Sequence, residues 1–436
     1  MEVYNLVSLL GIFVLAGFAW LCSSNRRIVN WRVVFWGVAI QLCFALFIFM
    51  IPAGTKFFLL VNELVVKVLD SATAGTNFIF GRLALPPGTV NQSGETSLGY
   101  FLAFQGLPTI IFFAALVGGL YYLRIMPLLI RGFAFVFSRL MRISGAESLS
   151  ASSNIFVGIE SALVVRPHLK DMTRSELTTI LAAGMGTIAS TVLALYVLYL
   201  QNLLPTIAGH LVSASFLSAP AAVVMSKLLV PETEIPKTLG ISVKPHYQRE
   251  DNIIMAVING AHSGLRLLGG IVALLIAFLG IMALIDLVLG GVGGILNQWF
   301  GLSVEWSLAS LLGYIFYPFA LVLGIPPADA WEVARLLAQR PIRTELTAYQ
   351  ELAALLDAGK LIHPRSAIIA SYALCGFAHI ASLAIFVGGI GVLAPSRVKD
   401  LSRLGFRALV AATLACLMTG AVAGVFYSSG SILLGR

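Results

Sequence analysis

Residues 144–200 read SGAESLSASSNIFVGIESALVVRPHLKDMTRSELTTILAAGMGTIASTVLALYVLYL. Apolar pieces lie on both sides of Gly158-Ile159-Glu160-Ser161, and neither reaches the ~20 residues that a helix needs to cross a bilayer. A basic turn follows, with Arg166, Pro167, His168, Lys170 and Arg174. The apolar run from about Leu177 to Leu200 is then long enough to span. A short hydrophobic pair broken by glycine and an acid reads as a re-entrant hairpin. Its tip leaves backbone N–H and C=O groups unpaired at membrane depth, which is tolerated only where protein buries them or they line a polar cavity. The binding site is expected at this tip.

Working outward, the whole chain fits a membrane setting. Of its 436 residues, 58% are hydrophobic and 11% charged, whereas a soluble domain carries about 25% charged residues. Mean hydropathy is +0.93. The net charge of +8 is spread over short loops, so it reads as a topology signal and not as a nucleic-acid face. Cys22, Cys43, Cys375 and Cys416 have no paired spacing and read as small buried hydrophobes. The chain holds no HExxH, GxSxG or P-loop pattern, so the main signatures of an intramembrane enzyme are missing. Asp329 with Glu332, and Glu147 with Ser150, sit one helical turn apart and read as solvated helix faces.

Candidate spans lie at about 4–22, 32–52, 104–123, 177–200, 206–230, 267–290, 366–393 and 405–428. The expected fold is an all-α polytopic membrane protein with eight transmembrane helices plus two re-entrant helical hairpins. The first apolar segment follows Glu2 and lacks a cleavage motif, so it reads as a mature span. Pro86-Pro87-Gly88 marks a turn in a long interruption between the second and third spans. Residues 123–142, with Arg124, Arg131, Arg139 and Arg142 on an apolar background, read as an amphipathic helix at the interface. Loops rich in Lys and Arg (Arg26 to Arg32, Arg166 to Arg174, Lys237 to Arg249, Arg397 to Arg407) are assigned to the inside, which leaves both termini outside a cytoplasmic membrane.

The second half repeats the first. A peripheral helix is expected over 307–324, followed by another broken pair, residues 328–356, that carries Arg340-Pro341-Ile342-Arg343-Thr344-Glu345. The spans after the two hairpins, residues 174–190 and 365–382, both begin Arg-Ser and both reach Gly-x-x-(Thr/His)-Ile-Ala-Ser. Entered from opposite sides, these units form an inverted repeat, which places a transporter's substrate near the midplane where the halves meet.

Glu160 and Glu345 occupy the two hairpin tips. A carboxylate at bilayer depth costs about 2.5–3.5 kcal/mol on insertion scales and needs a partner or a task. Each is either a helix-end residue, with Glu345 paired to Arg343 or Arg340, or an acceptor for a solute rich in hydroxyl or N–H donors. His379 lies mid-span at the position of Thr187 in the other repeat, and reads equally as a satisfied interior residue or a site residue. Ser190 and Ser382 are weaker candidates, since serine in such helices commonly bonds its own helix. Asn154, Val157, Thr187 and Ile188 offer oxygens that suit a hard monovalent cation.

Several stretches carry a family resemblance: residues 104–113 (FQGLPTIIFF), then SGAESLSASSNIFVG, LVVRP with MTRSEL, TELTAY, YALCGFA, GGIGVLAP and LGFRAL. From Phe104 onward the chain resembles the concentrative nucleoside transporters. The resemblance implies a homotrimer in which a scaffold surrounds the axis and a mobile transport domain holds both hairpins. It also implies an elevator movement driven by a sodium or proton gradient, with no cofactor. On that resemblance residues 1–123 form scaffold, and 124–230 hold the interfacial helix, first hairpin and transport-domain spans. Residues 231–306 then hold a cytoplasmic loop and the sixth span, 307–395 the second hairpin with its span, and 396–436 the last span.

Carried over by position, Glu160 is similar to the family acid that helps hold the nucleobase and Glu345 to the acid that accepts from ribose hydroxyls. Ser382 matches a ribose-binding serine and Phe377 the aromatic beside it, while Asn154, Val157, Thr187 and Ile188 match a sodium site. The chain also departs from the family pattern. Gly158-Ile159-Glu160-Ser161-Ala162-Leu163 is one residue shorter than Gly-Gln-Thr-Glu-Ala-Pro-Leu, and Ile159 joins the expected solute contacts without an amide. His379 replaces an Asn, and Thr344 replaces the Asn before the second acid. The expected activity is cation-coupled import of a nucleoside. The alternatives are a symporter of the same fold for a nucleobase, modified nucleoside or other small polar metabolite, or a solute-binding sensor that does not transport.

Overall fold

The computed structural model describes residues 3–90, 94–158, 161–246 and 250–428. Polar caps set where its helices begin. Asn30 Oδ1 accepts from Val33 N at the start of α2, Trp31–Phe49. Thr173 and Glu176 form a reciprocal capping box at the start of α8, Arg174–Gly186. Before α2 comes α1, Val3–Leu21, and after it α3, Pro52–Phe80. A π-helical turn, Leu102–Gly106, leads into α4, Thr109–Tyr122, and then α5, Ile125–Met141. Next come α6, Gly145–Ser153, and the short α7, Ser161–Val164, followed by a 3-10 turn, Arg166–Asp171.

Past α8 come α9, Ser190–Leu200, and α10, Ile207–Leu229, then α11, Ile253–Phe300. The second half holds α12, Leu308–Val322, and the pair α13, Pro327–Gln339, and α14, Glu345–Asp357. It closes with α15, Pro364–Ala373, α16, Ile380–Leu393, and α17, Val398–Val425. Among the described residues there are no strands, only two isolated bridges, and seven segments are long and apolar enough to cross a membrane.

The core is built on α10, α8 and α17, which pack on one another and are buried almost throughout. Both α1 and α2 lean on this centre, against α17 and α10. In contrast, α4 packs chiefly on α11. Small residues let those two backbones meet: a Cβ on Gly118 would lie 2.6 Å from Ala256 O, and one on Gly260 2.6 Å from Ala114 O. The 48 residues of α11 extend about 72 Å at 1.5 Å per residue. Ile276, Leu284 and Leu287 on it are exposed.

Four expectations need correction. Residues 52–80 are one helix and not part of an interruption; Lys56, Glu63, Lys67 and Asp70 interrupt its apolar face, so no window of the sequence stands out. The spans expected at 177–200 and 366–393 are each broken, the first by Thr187–Ala189 between α8 and α9, the second by 374–379 between α15 and α16. Extended backbone at Thr187 (φ −113°, ψ 166°) ends α8, and at His379 (φ −139°, ψ 166°) it precedes α16. Glu147, Ser150 and Asp329 are buried, not solvated. Asp329 accepts from Ile362 N, His363 N and Ser366 Oγ, which ties α13 to the start of α15. Cys22 and Cys43 are exposed, and only Cys375 and Cys416 are buried.

Candidate functional site

Glu345 opens α14, with Thr344 as its cap. A carboxylate in the first turn is favoured by the unpaired N–H groups and the positive end of the helix dipole. Glu345 Oε1 accepts from Tyr196 Oη at 2.8 Å. Its Oε2 lies 3.1 Å from His379 Nε2, within pairing distance but off the line of a good hydrogen bond. All three side chains are buried. Tyr196 is held in turn by its ring, which stacks on Tyr349 at 4.4 Å, and Tyr349 Oη donates to Ser371 O at 2.6 Å.

His379 caps α16. Its Nδ1 accepts from Ser382 N at 3.1 Å, so the ring proton sits on Nε2 and faces Glu345. Ser382 Oγ accepts from His379 N at 3.2 Å, and its one proton is shared between Phe377 O and His379 O. Nδ1 of His379 and the hydroxyl of Ser382 are therefore occupied by the protein itself, while Nε2 only faces Glu345. Neither Arg343 nor Arg340 pairs with Glu345. Arg343 reaches Asp286 on α11 at 3.3 Å, and the buried Arg340 donates to Ala373 O.

Thr344, Glu345, Phe377, His379 and Ser382 line one cavity of about 100 Å³, walled elsewhere by apolar side chains of α9 and α11 such as Leu195, Leu267 and Ile271. Gly158 and Thr191 also line a second cavity of about 290 Å³ that reaches Arg166, His246 and Glu250. The two cavities thus border each other at these residues. Ile159 and Glu160, both expected to touch the solute, lie outside the described residues.

The expected cation ligands lie on two other segments, the end of α6 and the break after α8. Asn154 ends α6, fully buried; its Nδ2 donates to Ser150 O at 3.0 Å while Oδ1 has no partner. Thr187 Oγ1 donates to Ala183 O at 2.9 Å, which leaves its lone pairs free to accept. A bond from Ser190 Oγ to Phe156 O at 2.5 Å ties the turn after α6 to the first break. Val157 and Ile188 are buried beside it. A buried amide oxygen without a partner is a chemical type that fits a hard monovalent cation.

Sequence reasoning missed Tyr196, Tyr349 and Thr191. Tyr196 sits in an apolar run with nothing local to set it apart; the period of four that aims Tyr349 inward within Glu345–Asp357 was the only available signal.

Comparison with known proteins decides the family. The N-terminal and C-terminal models of the Na+ dependent nucleoside transporters match residues 10–83 and 210–424, and a nucleoside recognition (Gate) model matches 103–203. An uncharacterized transporter of Haemophilus influenzae is 38% identical over 433 residues, 98% of this chain and 99% of that protein. The chain belongs to the concentrative nucleoside transporter family. Nucleoside permease NupC of Helicobacter pylori is 34% identical, covering 97% of this chain and 98% of the permease. The structure of CNTnw in an inward-facing, substrate-bound state superposes with a TM-score of 0.85 at 35% identity, covering 97% and 98% of the two chains. Family membership makes this a multi-pass membrane transporter and not an enzyme.

Proposed function

We propose that the protein imports a nucleoside across the cytoplasmic membrane by symport with sodium or a proton, and that Glu345 receives the sugar hydroxyls. The observation that carries this reading is a buried carboxylate, aimed by Tyr196 and His379, at a cavity where two broken helices meet. The family's sodium dependence and the orphaned Asn154 Oδ1 support sodium as the coupling ion. In this reading α6–α7 and α13–α14 are re-entrant hairpins. The eight crossings are α1, α2, α4, α8–α9, α10, α11, α15–α16 and α17. We take α4 and α11 as the scaffold, in place of residues 1–123 as a block, because α1 and α2 pack with α10 and α17. The exposed apolar length of α11 supports a homotrimer, with the remaining helices moving past it as an elevator.

Glu345→Gln tests the site. It keeps the shape but weakens the acceptor, so uptake by reconstituted protein is lost while assembly and thermal stability are retained. Normal uptake by this variant removes Glu345 from the site.

One observation favours a second reading of the solute. His379 Nδ1 and the Ser382 hydroxyl are spent on the protein, and the hairpin tip is one residue short, so fewer polar groups face the cavity than an amide would give. A nucleobase or another solute with fewer hydroxyls fits that surface, and a binding panel of nucleosides, bases and sugars separates the two.

A further inference from the structure

Buried polar atoms without partners gather along α6. Ser150, Ser152 and Ser153 Oγ, Asn154 Oδ1 and both Glu147 carboxylate oxygens accept or donate no hydrogen bond. Glu147 Oε1 has only an ion pair, 2.8 Å from Lys227 Nζ. Glu147, Ser150 and Asn154 follow a spacing of three and four, so they share one stripe of the helix. That stripe ends at the candidate cation ligands. α8 packs on α6 and carries Ser175 and Thr179 four residues apart, with Thr187 just past its end. Thr179 Oγ1 is 2.8 Å from Ser226 Oγ, and Ser175 Oγ accepts from Lys227 at 3.0 Å.

At the other end two carboxylates contact one ammonium and a third lies nearby. Lys227 Nζ contacts Glu147 and, at 3.2 Å, Glu232. Glu176 joins through shared partners: its Oε2 accepts from Thr173 N, whose hydroxyl donates to Glu232 at 2.9 Å. Glu147 Oε2 is left with nothing, in a residue 1% exposed. A cavity of about 510 Å³ borders this cluster at Ala146, Glu176 and Thr238 and extends to His168, Asp171 and Lys237. Those last residues lie in the loops assigned to the basic face.

We infer that the coupling cation exchanges with the basic-loop face along this α6–α8 track, and that the Glu147–Glu176–Glu232 cluster is a transient second site for a monovalent cation. The solute leaves by another way, past Gly158 and Thr191. The inference rests on the cation-coupled reading above. Hydroxyl and carboxylate oxygens without partners can take a mobile cation as one, and oxygen ligands suit sodium. Within the cluster three carboxylates outnumber Lys227, while Lys237 and Lys244 line the outer part of the same cavity.

Radiolabelled sodium exchange through the reconstituted full-length protein tests this, alongside stabilisation of the purified protein by sodium chloride against choline chloride. Ser150→Val closes the track without changing charge, Ser150→Thr keeps the hydroxyl, and Glu147→Gln removes a carboxylate from the mouth. Ser150→Val and Glu147→Gln slow exchange about tenfold, equivalent to about 1.4 kcal/mol of barrier. Equilibrium stabilisation by saturating sodium is retained, and Ser150→Thr behaves as wild type. Unchanged exchange in Ser150→Val overturns the route, as does an equal loss in Ser150→Thr, which would mark a packing effect. The serine pair decides the matter even if Glu147→Gln strands Lys227 and fails to fold. A wild type that sodium neither stabilises nor crosses refutes the coupled reading itself, and the route falls with it.

Discussion

Replacing Tyr196 by Phe removes one oxygen and leaves the ring where it stacks on Tyr349. The lost bond is the 2.8 Å contact to Glu345 Oε1, fully buried at Tyr196. Hydrogen bonds between membrane helices average about 0.6 kcal/mol, because the unfolded state in lipid also finds partners. Bonds to charged acceptors lie higher, at about 1.5–3 kcal/mol. With His379 still facing the other oxygen at 3.1 Å, the lower end applies, and the loss is about 1.5 kcal/mol. A carboxylate free to swing also pre-organises the site less, so solute affinity falls roughly tenfold.

Tyr349→Phe is the control. It loses a bond to the neutral Ser371 O and costs about 0.5–1.5 kcal/mol of stability without touching Glu345's acceptors. Equilibrium binding of labelled solute to purified protein, with thermal melts on the same samples, reads both quantities. The reasoning is refuted if Tyr196→Phe binds as wild type, or if Tyr349→Phe loses solute affinity to the same degree.

His379→Asn removes the ring nitrogen that faces Glu345 and leaves an amide with both donor and acceptor atoms; binding of ribonucleosides relative to their deoxy analogues rises, measured by competition against one labelled nucleoside. Gly260→Ala places a methyl 2.6 Å from Ala114 O, so α4 and α11 must part at a cost of about 1–3 kcal/mol, read as a lower melting temperature. Arg365→Lys gives up most of a cage in which one guanidinium donates to Gly324 O, Asn5 Oδ1, Tyr4 O, Ser8 Oγ and Gly424 O. Several charge-assisted bonds at about 1.5–3 kcal/mol each are at stake there, and folded protein recovered in detergent drops sharply.

Helix positions were legible wherever apolar runs were long, as in α1, α2 and α10, because hydrophobicity over about 20 residues decides insertion. The two breaks at Thr187 and His379 were not, since Gly, Ala and Ser at these points suit a continuous membrane helix equally well. What the repeat match did show was that the two positions correspond. α3 escaped notice because its charges interleave with apolar residues, a pattern that only packing on α2 and α10 explains. Glu345 and His379 could be singled out as polar residues in apolar surroundings, but their pairing could not: it depends on the hairpin start and the span break being brought together in space. The burial of Glu147 was hidden for a similar reason, as Lys227 lies 80 positions away and a helical turn of spacing fits a wet face as well as a buried one.

Accumulation of labelled nucleoside in proteoliposomes, driven in turn by an inward sodium gradient and by an inward proton gradient with choline in place of sodium, bears most directly on the transport reading. Accumulation above the external concentration under one gradient, abolished by Glu345→Gln, is the result expected. Equilibration with no concentration under either gradient, or accumulation that Glu345→Gln leaves intact, would contradict coupled transport through this site.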